Sequence, residues 1–272
     1  HHDYYLEGKL EFLDSEGEWF FDYEDKMLYF WTPQGQNPNS LNIRGKVQSY
    51  AFSIANSDFV EIRGLEFFGT TFHFDNSDYS AVENCNLWYP SCHKRMLGEI
   101  NTQPEMSVFR SSSNCKVSKS AFRYTDGSAL EMYSHNNIIE DCYFYHIDYS
   151  VTDLNSLMTT IQMGGANNII RRNTMHKLGA SATLNPGDAG LITLNNISDT
   201  GHMQGDGAMV QIMTGQSPGT EISYNWLHSS VKYGARFDGN GTGNNGIMHH
   251  NVFWGLDNAG IMAKGYEFKI YN

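Results

Sequence analysis

A short phrase recurs along the chain. It reads apolar residue, two variable residues, a small or amide residue, one variable residue, then apolar again. Clear copies are IIEDCYF around Cys142, IIRRNTM around Asn173, ITLNNI around Asn195, ISYNWL around Asn225 and MHHNVF around Asn251; FKIYN opens another at Asn272. More diverged copies are IRGLEF at Gly64, VENCNL at Cys85 and VSKSAF at Ser120. Successive anchors return every 26 residues on average. A repeat of this length is a stacking unit, one supersecondary element that buries its apolar face against the next copy. Each phrase is rich in Ile, Val, Phe and Tyr and alternates with period two, which is a strand pattern. Regular Leu spacing is absent, which excludes a leucine-rich repeat. The uneven spacing predicts the coils of an all-β solenoid whose turns vary in length. Most periods hold a second strand: SALEMY (128–133), TTIQMG (159–164), AMVQIM (208–213), GARFDG (234–239) and GIMAKG (260–265).

An anchor Asn suits a tight bend because it tolerates left-handed backbone angles. Stacked at the ~4.8 Å strand spacing, its side-chain amides can form a ladder. Gly64, Cys85, Ser120 and Cys142 are small residues in the same slot. The cysteines therefore read as buried thiols, with Cys92 and Cys115 the pair to examine for a bond. Residues 1–48 lack the phrase. EWFFDYEDKMLYFWTP (18–33) predicts a hairpin of two aromatic strands, followed by a loop over 33–40. The expected division is a flanking hairpin segment, 1–48, and a solenoid, 49–272, that continues past Asn272.

The formal net charge is −12, from 18 basic and 30 acidic residues. A phosphate-binding surface needs the opposite balance, so nucleic acid is not an expected partner. No apolar run approaches the roughly 18 residues of a membrane span. The four cysteines form no CxxC pair, and no EF-hand or RTX pattern is present. No cofactor is expected, although so acidic a chain could accept Ca²⁺ in a structural or substrate-bridging role.

The phrases, with GEWFFDYEDKMLYFWTP upstream, resemble secreted right-handed parallel β-helix proteins of carbohydrate metabolism, the pectate-lyase-like solenoids. GDGAMVQI, ISYNWLH, KYGARFDG, MHHNVFWG and GIMAKG carry most of the likeness. It implies an all-β, right-handed parallel β-helix, a polysaccharide or oligosaccharide substrate, a monomer, and a secreted, periplasmic or cell-surface location. The class includes glycoside hydrolases, lyases, depolymerases and non-catalytic members. The paired-Asp and Gly-His-Gly motifs of polygalacturonases are absent. The Lys and Arg motifs of chondroitinase-type and alginate-type lyases find no match.

In a solenoid, equal slots of successive coils form columns. Aligning the second strands predicts a column Glu131, Gln162, Gln211, Asp238, Lys264, with a small residue from 180–184 between the two glutamines. Arg236 shares the face of Asp238. Glycoside hydrolysis needs two carboxyl groups about 5–9.5 Å apart. Asp206 and Asp238 come from adjacent coils and are the expected acid/base pair. Glu131 lies four coils from Asp238, about 19 Å at ~4.8 Å per coil; it is left to pair with Asp126 or Asp153, or to touch a distal sugar. Lys232, Arg236 and Lys264 would lower a neighbour's pKa or bind an anionic substituent. His202 lies in the Gly-rich stretch 198–207, which is expected to project, and is a candidate general base or sugar ligand. His146, His176 and His228 read as structural stacking, and His249 and His250 lack identifiable partners for a metal. Trp226 heads a set of sugar-stacking candidates with Trp88, Tyr89, Tyr143, Tyr145, Tyr149, Tyr233 and Trp254.

Three functions compete at this stage. The first is a hydrolase working through Asp206 and Asp238. The second is a lyase on a uronic-acid polymer, with Lys232, Arg236, Lys264 or His202 abstracting the C5 proton. The third is a non-catalytic carbohydrate-binding or adhesive solenoid.

Overall fold

The structure, a computed structural model, describes residues 6–97, 104–149 and 158–272. Three parallel sheets run the length of the molecule, and every coil contributes one strand to each in turn. Sheet 1 has nine strands, from Tyr50–Ala55 to Ile261–Tyr266. Sheet 2 has nine, from Glu61–Arg63 to Lys269–Tyr271. Sheet 3 has eight, from Glu66–Phe68 to Val252–Leu256. The fold is an all-β, right-handed parallel β-helix. Upstream, Trp19–Asp22 and Met27–Phe30 form the expected antiparallel hairpin, pairing Trp19 with Phe30 and Asp22 with Met27. Its turn is held by Asp22 Oδ1, which accepts from the amides of Glu24 and Asp25.

The phrase that reads as one strand is two. In IIRRNTM, Ile169–Arg171 belongs to sheet 2 and Thr174–Leu178 to sheet 3, with the corner at Arg172 and Asn173. The left-handed angle sits on the residue before the anchor: Asp141, Arg172, Leu194, Tyr224 and His250 have φ between 52° and 60°. The anchor itself supplies the ladder. Asn173, Asn195 and Asn225 each donate, through backbone N–H and side-chain Nδ2, to Oδ1 of the next anchor, all at 3.0 Å; the chain of acceptors ends on Asn251. Gly64 and Asn272 fall in the left-handed slot, one residue short of the anchor slot in which they were expected, because Arg63 pairs with Glu83 and His249 with Tyr271. A second ladder, Cys115 to Asn137 to Asn168, closes the corner between sheets 1 and 2.

The core is a set of stacks. Val82, Val117, Ile139, Ile170, Ile192, Ile222 and Met248 fill one slot of sheet 2 in successive coils and are fully shielded. Phe74 lies over Phe109 at 4.4 Å and Phe122 over Phe144 at 5.1 Å. Burying a side chain of this size stabilises by about 1.5–3 kcal/mol. All four cysteines are free, so Cys92 and Cys115 are not joined; Cys85, Cys115 and Cys142 are buried thiols at the corners.

Candidate functional site

On the outward face of sheet 1, pairing fixes which residues share a column. Glu131 lies beside Gln162, and Gln162 beside Asn185. Leu184 pairs with Val210, which carries the column on to Gln211, and Gln211 lies beside Arg236. The expected column therefore holds as far as Gln211 and then shifts by two residues. Arg236 takes the slot assigned to Asp238, and Asn185 the one assigned to a small residue. Asp238 and Lys264 pair with each other in the neighbouring row. A two-residue shift preserves the face, so both rows front the same strip. The strand that carries them, Tyr233–Asn244, bulges between Asp238 and Gly243.

Asp238 is the centre of the strip. Its Oδ1 accepts from Lys264 Nζ at 2.9 Å, and its Oδ2 accepts from Gln211 Nε2 at 3.1 Å and from Arg236 Nη2. Burial alone would raise its pKa; the hydrogen bonds and charges of Lys264 and Arg236 outweigh it and hold the carboxyl below its ordinary value. Arg236 Nη1 also reaches Asp206 Oδ1 at 3.4 Å, so one guanidinium touches both carboxylates. Their surroundings differ: the Asp206 side chain is 75% exposed and that of Asp238 15%. Beneath them, Gln211 is buried, and its Oε1 has no partner.

Lys232 is not in the groove. It is completely buried, and its Nζ donates to the carbonyls of Ser181 at 2.6 Å and Asp206 at 2.5 Å. Burial pushes its pKa down to about 7, while the Asp206 charge opposes the shift. Its stem runs under Gly201, where a Cβ would meet Lys232 Cε at 2.8 Å. The loop 201–207 is thus clamped onto the coil rather than projecting. Lys232 sets the position of Asp206 from below, a role its sequence neighbourhood does not advertise.

His202 turns the other way. Its Nε2 bonds Asp199 Oδ1 at 2.8 Å and its ring stacks on Tyr149 at 5.5 Å. Trp226 is 57% exposed on sheet 3, beside Trp254, and does not face the strip. Asp126 accepts from the His93 amide at 2.6 Å and lies 3.5 Å from Arg95; Asp153 lies outside the described residues. His249 contacts Glu221 at 3.2 Å and His250 at 2.8 Å. Among the described residues no group of three or more His, Cys, Asp or Glu is placed to hold a metal ion.

Sequence reasoning missed a cleft of about 1520 Å³ between residues 6–49 and the corner from sheet 3 to sheet 1. Tyr89, Tyr124, His146 and Tyr149 line it, with Arg95, Asp126 and Met203. The stretch from Tyr89 to Leu97 contributes to it. Its opposite wall comes from a segment without repeats, so no stacking argument could reveal it.

Several solved structures align with the chain. The alginate lyase of Paenibacillus sp. strain FPU-7 aligns over 81% of this chain and 77% of its own, at 11% identity and a TM-score of 0.51. The GH136 lacto-N-biosidase of Eubacterium ramulus aligns over 84% of this chain and 46% of its own, at 12% identity and a TM-score of 0.47. A surface protein and adhesin of Streptococcus pneumoniae aligns over 82% and 69%, at 11% identity and a TM-score of 0.27. No curated protein sequence matches the chain. The family model described as right handed beta helix region matches residues 108–272, more than half of the chain, and the protein belongs to that family.

Proposed function

We propose that the protein is a polysaccharide-degrading glycoside hydrolase whose reaction takes place on the strip of sheet 1. The observation that carries this reading is a pair of carboxyl groups in unlike surroundings, joined by Arg236. Acid–base hydrolysis needs that asymmetry: one group ionised, the other able to hold a proton. Asp238 is held ionised by Lys264, Arg236 and Gln211 and serves as base or nucleophile. Asp206 stands in solvent, where a polymer laid along the strip would cover it. In the role of acid it donates a proton to the glycosidic oxygen as the bond to the anomeric carbon breaks. Asp238 takes a proton from the attacking water, or attacks the anomeric carbon itself, according to the carboxyl separation. Gln162 and Glu131 extend the strip and would contact further sugar units through their hydroxyls. The likeness to an alginate lyase lies in the fold.

The competing reading is elimination on a uronate. It is favoured by the two cations, Arg236 and Lys264, that cradle one carboxylate. Product chemistry separates the two. Neutral, uronate and sulfated polysaccharides would be digested and read for new reducing ends and for the ultraviolet absorbance of an unsaturated sugar. Reducing ends without absorbance, lost in Asp206→Asn and Asp238→Asn, are expected. Absorbance rising with the reducing ends would overturn the hydrolase. Binding without any product, unchanged in both variants, would leave a non-catalytic solenoid.

A further inference from the structure

At the corner from sheet 3 to sheet 1, each coil places one residue in the left-handed region. In order they are Gly69, Tyr89, Tyr124, His146, Lys177, Asp199, Ser229 and Gly255, with φ between 53° and 67°. Glycine fills the first and last of these slots without strain. A residue with a Cβ costs roughly 1–2 kcal/mol there. The chain nevertheless sets three rings in a row, at positions 89, 124 and 146.

The rings form a staircase. Tyr89 and Tyr124 are 5.2 Å apart and nearly parallel, Tyr124 and His146 are 5.1 Å apart, and His146 lies on Tyr149 at 3.6 Å. They face the cleft of about 1520 Å³. That space is larger than the roughly 300–1,000 Å³ of a drug-sized pocket and suits an oligomer. Within it, Arg95 is neutralised by Glu7 and Asp126, and Lys94 lies 3.8 Å from Glu105. Three further cations of its lining, Lys9, Arg44 and Lys46, have no carboxylate partner among the described residues. Lys46 Nζ donates to the Pro90 carbonyl at 3.1 Å, and Arg44 lies over the Phe68 ring. Burial lowers the pKa of His146, so its ring adds no charge at neutral pH.

We propose that this cleft is a second saccharide site, separate from the Asp206–Asp238 strip, which binds pyranose units bearing an anionic substituent. The rings of Tyr89 and Tyr124 take the sugar faces, with His146 and Tyr149 stacked behind them, and Lys46 with Arg44 takes a carboxylate or a sulfate. The proposal rests on the carbohydrate reading above but not on the two working carboxylates.

Calorimetric titration tests it in the Asp238→Asn background, where cleavage is stopped, and in Asp206→Asn if that chain folds better. The probes are an oligouronate hexamer, a sulfated galactan hexamer and the neutral cellohexaose. At least one anionic hexamer is expected to bind, more tightly at low salt, and the neutral one at least tenfold more weakly. The uronate and sulfate arms identify the anion. Adding Tyr124→Ala or Lys46→Gln should each weaken binding at least tenfold, while Lys46→Arg retains it and confirms an intact fold. Failure of both anionic hexamers to bind, equal binding of the neutral one, or affinity unchanged in Tyr124→Ala and Lys46→Gln would overturn the proposal. Each of these results is independent of whether the parent cleaves, so it can be told apart from failure of the hydrolase reading.

Discussion

The face of sheet 1 and the corner between sheets 3 and 1 are made from the same coils in different ways. On the face, side chains of successive strands meet side by side and neutralise one another. Arg236 and Lys264 hold Asp238, and Gln211 supports it from below. At the corner, the side chains stand out from strained backbone and stack ring on ring. The face concentrates charge at one point, which suits bond breaking. The corner spreads flat surface over several coils, which suits holding a polymer. On the two proposals above, one repeating scaffold separates chemistry from grip, because neighbouring slots of a coil differ in backbone geometry and not only in sequence.

The largest expected effect would break this division if it failed. Asp238→Asn should lower kcat/KM by about 10³-fold, within the usual range for loss of an acid or base. Tyr124→Ala should act mainly through KM. Steady-state kinetics on one polymer checks both, and a kcat loss in Tyr124→Ala as large as that in Asp238→Asn would merge the two regions into one site.

Next comes a perturbation that should affect neither region selectively. Asn225→Ala removes the acceptor of both Asn195 donors and leaves the Ile192 carbonyl without its side-chain donor. Unsatisfied buried groups cost about 1–3 kcal/mol each, so urea unfolding should show a loss of about 3 kcal/mol. Activity per folded molecule should not change.

A third expectation concerns pH. Glu140 on sheet 2 is almost fully buried and receives Lys116, Arg171 and Arg172. Burial would raise its pKa, but the hydrogen bonds and charges of Lys116 and Arg171 prevail and take it to about 2. A depressed carboxyl stabilises the fold above its unfolded pKa, and that contribution is lost as pH falls. Thermal unfolding should therefore show a loss of about 2–3 kcal/mol between roughly pH 5 and pH 2. Glu140→Gln, already destabilised at neutral pH, should lack this part of the acid transition.

The smallest effect sharpens the view of the corner. Ser229 shares the left-handed slot with Gly255 of the next coil. Ser229→Gly should be neutral or stabilise by about 0.5 kcal/mol, since relief of strain slightly exceeds the added chain entropy. Tyr124→Gly relieves the same strain but should lose the hexamer. Denaturant midpoints measured beside calorimetry separate the two.

Legibility in the sequence follows the same split. The solenoid shows through because every coil meets the same corner requirements, so Asn173, Asn195, Asn225 and Asn251 recur in register. What looked like one strand was two, because a two-residue corner such as Arg172–Asn173 leaves the alternation of IIRRNTM nearly unbroken. The strip was legible as far as Gln211. Beyond it, loops of unequal length and the bulge after Asp238 hid the register, so Arg236 and Asn185 stand in slots expected for Asp238 and a small residue. Lys232 looked like a surface cation because nothing local reveals that the Asp206 loop lies over it. The cleft stayed hidden because contacts such as Arg95 with Glu7 and Lys46 with the Pro90 carbonyl join distant, non-repeating stretches.

The central claim is that water is added across a glycosidic bond at Asp206 and Asp238. The most direct test digests the cleaved polymer in water enriched in heavy oxygen and weighs the products. Hydrolysis predicts one heavy oxygen at each new reducing end in the parent, and loss of the labelled product in Asp238→Asn. Unlabelled products, lighter by one water and formed equally well by Asp238→Asn, would contradict it.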